Sequence, residues 1–231
     1  GVQCNVWTEW IPTMERMEYM VFPRMMAVSE IAWCEKSRLN DYKAFEQRVM
    51  NQVKRLDKMS VNYRIPDLTG FYDSNVFVDK GEFKVDCIMP QVEIRYTMDG
   101  TDPSSESALY TTPVTVTKDT EFKFRAFRPD GTYDKLYTAS FVKEAFLPAL
   151  KVTENLKPGL NVALYDFSGN KCADIASSKL IKTYVSERIA YPEGKAGNLA
   201  MVYNGYLEVP SDGVYTFSLL SDDGSILKLD D

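Results

Sequence analysis

Apolar and polar residues follow three different patterns along this chain. Residues 1–9 alternate, which predicts a buried strand that ends in polar and aromatic side chains. The apolar members of this alternation are Val2, Cys4 and Val6. Residues 22–34 instead repeat apolar positions at helical spacing, and Pro23 suits the first turn of the helix they predict. The stretch between them is rich in methionine and acidic residues and is interpreted as irregular.

A second helix is predicted to follow, with Asn40 as its N-cap. Its apolar residues form one stripe, and Lys, Arg, Glu and Gln fill the opposite face. The stripe consists of Tyr42, Phe45, Val49, Val53 and Leu56. This pattern is typical of a surface helix with one docked side, and we expect the first region of the chain to end near residues 59–62.

Short alternating strands separated by turn residues take over from residue 63. Their inward positions include Phe83, Val85 and Cys87, then Ile94, Tyr96 and Met98, then Phe122, Phe124 and Ala126. The dipeptide Asp99-Gly100 is a tight-turn signal. The pattern predicts a small immunoglobulin-like β-sandwich of about seven strands over residues 63–145. A proline-containing linker, 146–158, precedes a third region with a new strand pattern, 159–231.

Composition and charge exclude several classes of function. The formal net charge of −6 argues against nucleic acid as a partner. No apolar run approaches the ~20 residues of a membrane span. The chain has no histidine, which removes Ser-His and Cys-His catalysis and histidine-ligated zinc. The cysteines form no C-x-x-C pair and are expected to be buried free thiols: Cys4, Cys34, Cys87 and Cys172.

Three motifs, in this order, resemble parts of one enzyme family. GVQCNVWTEW and the later FPRMMAVSEIAW resemble the last strand and helix of the catalytic barrel of glycoside hydrolase family 20, the β-N-acetylhexosaminidases. YTMDGTDP resembles the C-terminal β-sandwich of bacterial hexosaminidases and chitobiases. GYLEVPSDGVYTF and SDDGS resemble the first half of a protective-antigen-like β-sandwich.

The resemblance implies a mainly β chain with an N-terminal α/β remnant. Residues 1–62 would be the end of a (β/α)8 barrel, 63–145 the hexosaminidase C-terminal β-sandwich, 146–158 a linker, and 159–231 a truncated protective-antigen-like sandwich. We therefore expect a C-terminal fragment of a longer protein. Its expected partners are N-acetylhexosamine-containing glycans and the missing remainder of the barrel. By family analogy, the protein is expected outside the cytoplasm.

Trp7 and Glu9 are the candidate substrate-binding residues. The resemblance implies that the Trp7 indole stacks on the apolar face of the terminal sugar and that Glu9 accepts hydrogen bonds from its hydroxyls. A plainer interpretation is that Trp7 and Trp10 only pack, as large aromatics usually do. The family hydrolyses by substrate assistance, with an Asp-Glu pair on an earlier barrel strand. No Asp-Glu dipeptide occurs here, so no catalytic residue is assigned and the chain alone is expected to be inactive.

Asp222 and Asp223 are a second candidate site. Some protective-antigen-like modules hold Ca²⁺ with consecutive aspartates, although calcium takes six to eight oxygen ligands. The alternative is a polar hairpin turn, for which Asp-Asp-Gly-Ser is good chemistry. For the function of the chain, a non-catalytic carbohydrate-binding or scaffold module remains the alternative to an enzyme part.

Overall fold

The computed structural model describes residues 1–152, 155–192 and 197–230. The chain divides into two compact units, Gly1–Ala145 and Phe146–Asp231. In the described residues, the first unit contains three α-helices followed by seven short strands, and the second contains three strands. This confirms the predicted class, mainly β with helices near the N-terminus. Within the same residues, no helix is both long and apolar enough to cross a membrane.

The first unit contains three α-helices, α1 (Met14–Val21), α2 (Arg24–Trp33) and α3 (Tyr42–Lys58). Side chains cap the N-termini of α1 and α3, whereas Pro23 at the start of α2 makes no side-chain cap. Helix α1 occupies the stretch that the sequence suggested was irregular, because the Thr13 hydroxyl accepts a hydrogen bond from the Arg16 backbone N–H at 3.2 Å. The cap of α3 is Asp41 and not the predicted Asn40, since Asp41 Oδ1 accepts from the Ala44 N–H at 2.9 Å.

Helix α3 docks one side on the core, as its apolar stripe predicted. Val49, Val53 and Leu56 are buried, and Phe45 is half-buried against the same core. Tyr42, at the N-terminal end of the stripe, remains exposed. Complete burial of an aliphatic side chain of this size contributes about 1.5–3 kcal/mol, so the three buried residues account for the docking of the helix.

Seven strands form two sheets in the first unit. They are β1 (Ser74–Phe77), β2 (Gly81–Phe83), β3 (Glu93–Thr97), β4 (Ala108–Leu109), β5 (Val114–Val116), β6 (Thr120–Phe127) and β7 (Tyr137–Lys143). The larger sheet has the order β1-β7-β6-β3-β4, with β1 parallel to β7 and the other pairs antiparallel. Strands β2 and β5 form the smaller, antiparallel sheet. The predicted strand through Cys87 is shorter and ends at Phe83.

Aromatic side chains fill the space between the two sheets. Phe83 of the smaller sheet stacks on Phe122 of the larger sheet with ring centroids 4.1 Å apart. Phe124 stacks on Tyr137 at 5.6 Å. Phe122, Phe124 and Ala126 are all buried, which confirms the inward positions predicted for this strand.

The second unit is built on one antiparallel sheet in the order β10-β8-β9. Its strands are β8 (Leu160–Asp166), β9 (Lys179–Ser186) and β10 (Leu199–Asn204). Val162, Leu164 and Ala200 are buried. Residues 205–230 alternate in sequence but form no strand. A strand needs a hydrogen-bonded neighbour, and no described residue pairs with this stretch.

Residues 1–9 form no strand either, so the buried strand predicted there is wrong. The whole stretch is exposed, and no strand of the described chain pairs with it. Its cysteine is consequently exposed, while the other three are half-buried: Cys34, Cys87 and Cys172. All four are free thiols, as predicted, but their predicted burial is wrong.

Candidate functional site

Trp7 and Glu9 lie on the exposed segment that leads into α1. A hydrogen bond from the Ile11 N–H to the Thr8 carbonyl, at 3.1 Å, closes a turn that includes Glu9. Both side chains are exposed. The segment therefore presents an exposed indole and an exposed carboxylate two residues apart, groups that can stack on a sugar ring and accept hydrogen bonds from its hydroxyls.

All three tryptophans of the chain are largely exposed. The exposed fractions are 76% for Trp7, 86% for Trp10 and 89% for Trp33. Trp33 is exposed because α2 has no buried residue in this structure. Isolated apolar residues on a surface are normal, whereas large exposed apolar patches are typical of interaction sites.

Polar contacts hold the helix that follows this segment. Asn62 donates its backbone N–H to Glu18 Oε2 at 2.8 Å and its side-chain Nδ2 to the Glu15 carbonyl at 3.0 Å. The Arg64 N–H donates to the Phe22 carbonyl at 3.0 Å, just beyond the end of α1. The sequence suggested that Glu18 is solvated, but it is half-buried and accepts this bond. Residues 62–64 thus fix both ends of α1.

Asp134 joins α1 to the sandwich. The Tyr19 hydroxyl donates to Asp134 Oδ1 at 2.9 Å, and the Ile65 N–H donates to Asp134 Oδ2 at 3.1 Å. Burial and the hydrogen bond to Asp134 raise the pKa of Tyr19 above its ordinary value. Tyr19 therefore remains a donor across the physiological pH range, and this one carboxylate connects three elements.

Arg128, directly after β6, contacts Tyr63 in the segment that joins α3 to the sandwich. Its guanidinium donates to the Tyr63 carbonyl and lies over the Tyr63 ring, 4.8 Å from the centroid. The Tyr63 hydroxyl in turn donates to Asp57 Oδ1 on α3 at 2.6 Å. Burial and the bond to Asp57 raise the pKa of Tyr63. Arg128 is therefore connected to α3 through a fully buried tyrosine.

Glu30, a residue of the helix motif, links α2 to α3 by an ion pair with Arg48. The hydrogen bond from Arg48 lowers the pKa of the Glu30 carboxyl. The Cys34 thiol donates to the same carboxylate, which raises the pKa of that thiol. Glu30 accordingly packs and pairs, as expected for a structural residue.

Asp67, in the segment between α3 and the sandwich, accepts hydrogen bonds from three donors. Lys135 Nζ lies 2.8 Å and Arg64 Nη2 2.9 Å from Asp67 Oδ1, and the Tyr137 hydroxyl donates to the same oxygen at 3.1 Å. The hydrogen bond from Lys135 is the largest cause that lowers the pKa of Asp67, which falls to about 2. The ionised form of Asp67 is therefore favoured by folding.

We expect Asp67→Asn to lower the free energy of unfolding by about 1 kcal/mol at pH 7, because half-exposed ion pairs are screened by water. A carboxyl whose pKa is depressed by folding stabilises the protein above its unfolded pKa of 3.8, and this stability is lost as the pH falls toward about 2. The difference between variant and wild type should therefore vanish at the acid end. Denaturant unfolding at pH 7 and near pH 2 measures it.

The matched control is Asp79→Asn, which changes an exposed aspartate in the loop after β1. It should leave stability unchanged at both pH values. A loss for Asp67→Asn that is equal at the two pH values would contradict the assignment of the depressed pKa to this cluster.

Asp222 and Asp223 are exposed, in a bend where Ser225 Oγ donates to Ser221 Oγ at 3.0 Å. The described part of the chain contains no group of three or more His, Cys, Asp or Glu side chains that could hold a metal ion. Two adjacent carboxylates supply too few oxygens for Ca²⁺, so the residues present do not fit the ion by themselves. The calcium site stays a prediction.

One open groove lies on the sheet of the second unit, with a volume of about 370 Å³. Its lining is mixed in polarity: Asn161, Val162, Ala163, Thr183, Tyr184, Val185, Val202 and Asn204. Tyr184 is half-buried here, whereas Tyr191 and Tyr206 are exposed elsewhere in this unit. Amide and hydroxyl groups beside an aromatic ring are suited to contacts with a sugar.

Three stretches of the chain match known domain families. Residues 1–36 match the catalytic domain of glycosyl hydrolase family 20, residues 83–141 match the family described as Fn3 associated, and residues 156–231 match the PA14 domain. The first match contains Trp7, Glu9, α1 and α2. These matches confirm the resemblance that the sequence motifs indicated.

Similar proteins include β-hexosaminidases and a chitobiase. The chain is 30% identical to a β-hexosaminidase of Porphyromonas gingivalis over 94% of its own length and 29% of that protein. It is 26% identical to an N,N'-diacetylchitobiase of Vibrio harveyi over 43% of the chain and 13% of that protein. A β-hexosaminidase of Vibrio vulnificus is 28% identical over 43% of the chain and 15% of its own length. The chain thus spans less than a third of the relatives it matches.

Proposed function

We propose that this chain is part of a glycosyl hydrolase family 20 β-hexosaminidase and that it supplies part of the sugar-binding wall and the C-terminal support of such an enzyme. The proposed reaction removes terminal N-acetylhexosamine from glycans with retention of configuration. The acetamide oxygen of the substrate attacks the anomeric carbon, an upstream Asp orients the acetamide, and the adjacent Glu protonates the leaving oxygen. This chain contains no Asp-Glu dipeptide, so we expect it to be inactive alone.

The exposed Trp7–Thr8–Glu9 segment is the observation that carries this proposal. Its indole and carboxylate are free to meet a ligand, and they fall within the residues that match the family 20 catalytic domain. In the proposed complex, Trp7 stacks on the sugar ring and Glu9 accepts hydrogen bonds from its hydroxyls. Both contacts bind the terminal sugar and take no part in proton transfer.

The partner proposed for this surface is the remainder of the family 20 barrel. The three exposed indoles and the unburied faces of α1 and α2 support this, since these apolar groups would be covered by neighbouring barrel elements. Glycans carrying terminal N-acetylhexosamine are the proposed substrates. Because such glycans lie mostly outside the cytoplasm, we propose an extracytoplasmic location.

Hydrolysis of p-nitrophenyl N-acetyl-β-glucosaminide by the full-length protein tests the function. We expect Glu9→Gln and Trp7→Ala each to lower kcat/KM by about ten- to hundredfold, because a hydrogen bond to a charged group contributes about 1.5–3 kcal/mol and each 1.4 kcal/mol is tenfold. The effect should fall mainly on KM, because these contacts are present both in the enzyme–substrate complex and in the transition state. The 231-residue chain alone should show no turnover.

Glu106→Gln is the matched control, because Glu106 is an exposed glutamate in a loop of the sandwich. It should leave both kinetic constants unchanged. Full-length protein without hexosaminidase activity would overturn the proposed function. Active protein that tolerates both Trp7→Ala and Glu9→Gln would overturn only the assignment of the two residues.

The groove of the second unit supports a second function, carbohydrate binding without catalysis. Its polar lining beside Tyr184 is the observation that favours it. A thermal-shift titration of the chain with N-acetylglucosamine, with and without Ca²⁺, separates the alternatives. A saturable rise in Tm would support binding, and a calcium requirement would point to Asp222 and Asp223. A flat response would leave the second unit as a scaffold.

A further inference from the structure

We propose that Asp134, in the hairpin between β6 and β7, is a positioning residue for the sugar-binding segment that carries Trp7 and Glu9. The inference rests on the proposed function of those two residues. It assigns to the sandwich a part in substrate binding, although the sandwich contributes no residue to the sugar pocket.

The mechanical link runs from the sugar-binding segment through α1. Thr13, the N-cap of α1, lies only a few residues beyond Glu9, and the Thr8–Ile11 turn fills most of that interval. A helix moves as a unit because its backbone hydrogen bonds hold successive turns together. The placement of α1 therefore determines where the C-terminal end of the Trp7–Glu9 segment lies.

Hydrogen bonds attach α1 to the rest of the first unit. None of its eight residues is buried within this unit, so its attachments here are polar, and its exposed face is the one proposed above to meet the remainder of the barrel. Its attachments are the bonds from Asn62 and Arg64 described above and the bond from Tyr19 to Asp134. The Tyr19 bond is the one that reaches the sandwich directly, across 115 positions of sequence.

Asp134 is itself held in one geometry. Its backbone N–H donates to the Ala126 carbonyl of β6 at 3.3 Å, and its second carboxylate oxygen accepts from the Ile65 N–H. The Lys135 N–H also donates to Oδ1 at 2.8 Å. A carboxylate with both oxygens engaged can offer Tyr19 an acceptor at a fixed place, and this is the property that a positioning residue needs.

Removing the Tyr19 hydroxyl tests the link with the least disturbance. In the full-length enzyme we expect Tyr19→Phe to raise KM about tenfold, below the ~hundredfold that a 1 Å misplacement can cost, while kcat stays within about twofold. The split follows because the displaced groups bind the sugar and do not transfer protons. Steady-state kinetics on p-nitrophenyl N-acetyl-β-glucosaminide measure it.

A graded series at Asp134 separates positioning from folding. Asp134→Asn keeps an oxygen for Tyr19 and loses the acceptor for Ile65, so its KM should rise less than that of Asp134→Ala. The double variant Tyr19→Phe/Asp134→Ala should resemble Asp134→Ala alone, because both changes break the same bond. Asp79→Asn is the control, since that exposed carboxylate lies in the loop after β1.

Each outcome decides one point. A rise in KM for Tyr19→Phe with non-additivity in the double variant supports the positioning role. A lower Tm with unchanged KM means that the Tyr19–Asp134 bond is only structural, and it overturns the inference while leaving the proposed function standing. Wild-type full-length protein without activity overturns the proposed function itself.

Discussion

Replacing Phe122 by alanine is expected to lower the free energy of unfolding of the first unit by about 4 kcal/mol, within the range for large aromatic truncations in a core. Phe122 is fully buried and stacks on Phe83 at 4.1 Å. It also contacts the Phe141 ring edge to face at 5.6 Å. Truncation therefore removes the closest of the ring contacts that Phe83 makes with the larger sheet and leaves a cavity between the two sheets. Denaturant unfolding followed by circular dichroism measures the loss.

The matched control is Phe146→Ala, because Phe146 is 53% exposed at the start of the second unit. Its effect should stay within about 0.5 kcal/mol, as for most surface substitutions. Equal effects of the two substitutions would mean that Phe122 does not occupy the centre of the sandwich core.

The sandwich was predictable because its signal is local. Alternation of Phe122, Phe124 and Ala126 with charged residues determines which side of β6 faces inward, and the structure buries all three. The Asp99-Gly100 turn is equally local: Gly100 has a φ of +82°, which glycine adopts without strain. Asp99 Oδ1 accepts from the Thr101 N–H at 3.0 Å, as an Asx turn requires.

The errors concern features that depend on distant partners. Residues 1–9 have a strand pattern, yet a strand forms only beside another strand, and the described residues provide none. The same argument applies to residues 205–230. The missed helix α1 is a different case, because its signal was local: Thr13 is a good N-cap, and the residues that follow it are amphipathic at helical spacing.

For the candidate site, the sequence indicated the residues proposed to bind sugar but not the contacts that support them. Trp7 and Glu9 were found from a motif in which one residue separates them. Tyr19 and Asp134 are 115 positions apart, and neither belongs to a motif. Only the fold brings them together, so no pattern within a short window could have predicted this contact.

Arg128→Met is expected to lower the free energy of unfolding of the first unit by about 3 kcal/mol. Arg128 is 6% exposed and donates to the Tyr63 carbonyl and, at 3.0 Å, to Thr132 Oγ1. Methionine fills much of the side-chain volume but leaves the Tyr63 carbonyl without its donor. It also removes the cation–π contact with the Tyr63 ring, 4.8 Å away. The release of a buried Nε that has no partner offsets part of this loss.

Arg125→Met is the matched control for Arg128→Met, because Arg125 is 8% exposed on β6, lies over the Tyr133 ring 4.4 Å from its centroid, and also has a buried Nε without a partner. The two arginines differ in their hydrogen-bond partners. Asp102 lies 3.4 Å from Arg125 and is largely exposed, so this pair is screened by water, and we expect a loss of about 1 kcal/mol. Arg128 bonds to Tyr63, between the helices and the sandwich, and Arg125 does not. Of the two variants, therefore, only Arg128→Met should also increase amide hydrogen exchange in α1 and α3. Suppose that both variants lose the same stability and that amide hydrogen exchange in α1 and α3 does not change. Burial of the arginine side chain, and not the bond from Arg128 to Tyr63, would then be what stabilises the contact between the helices and the sandwich.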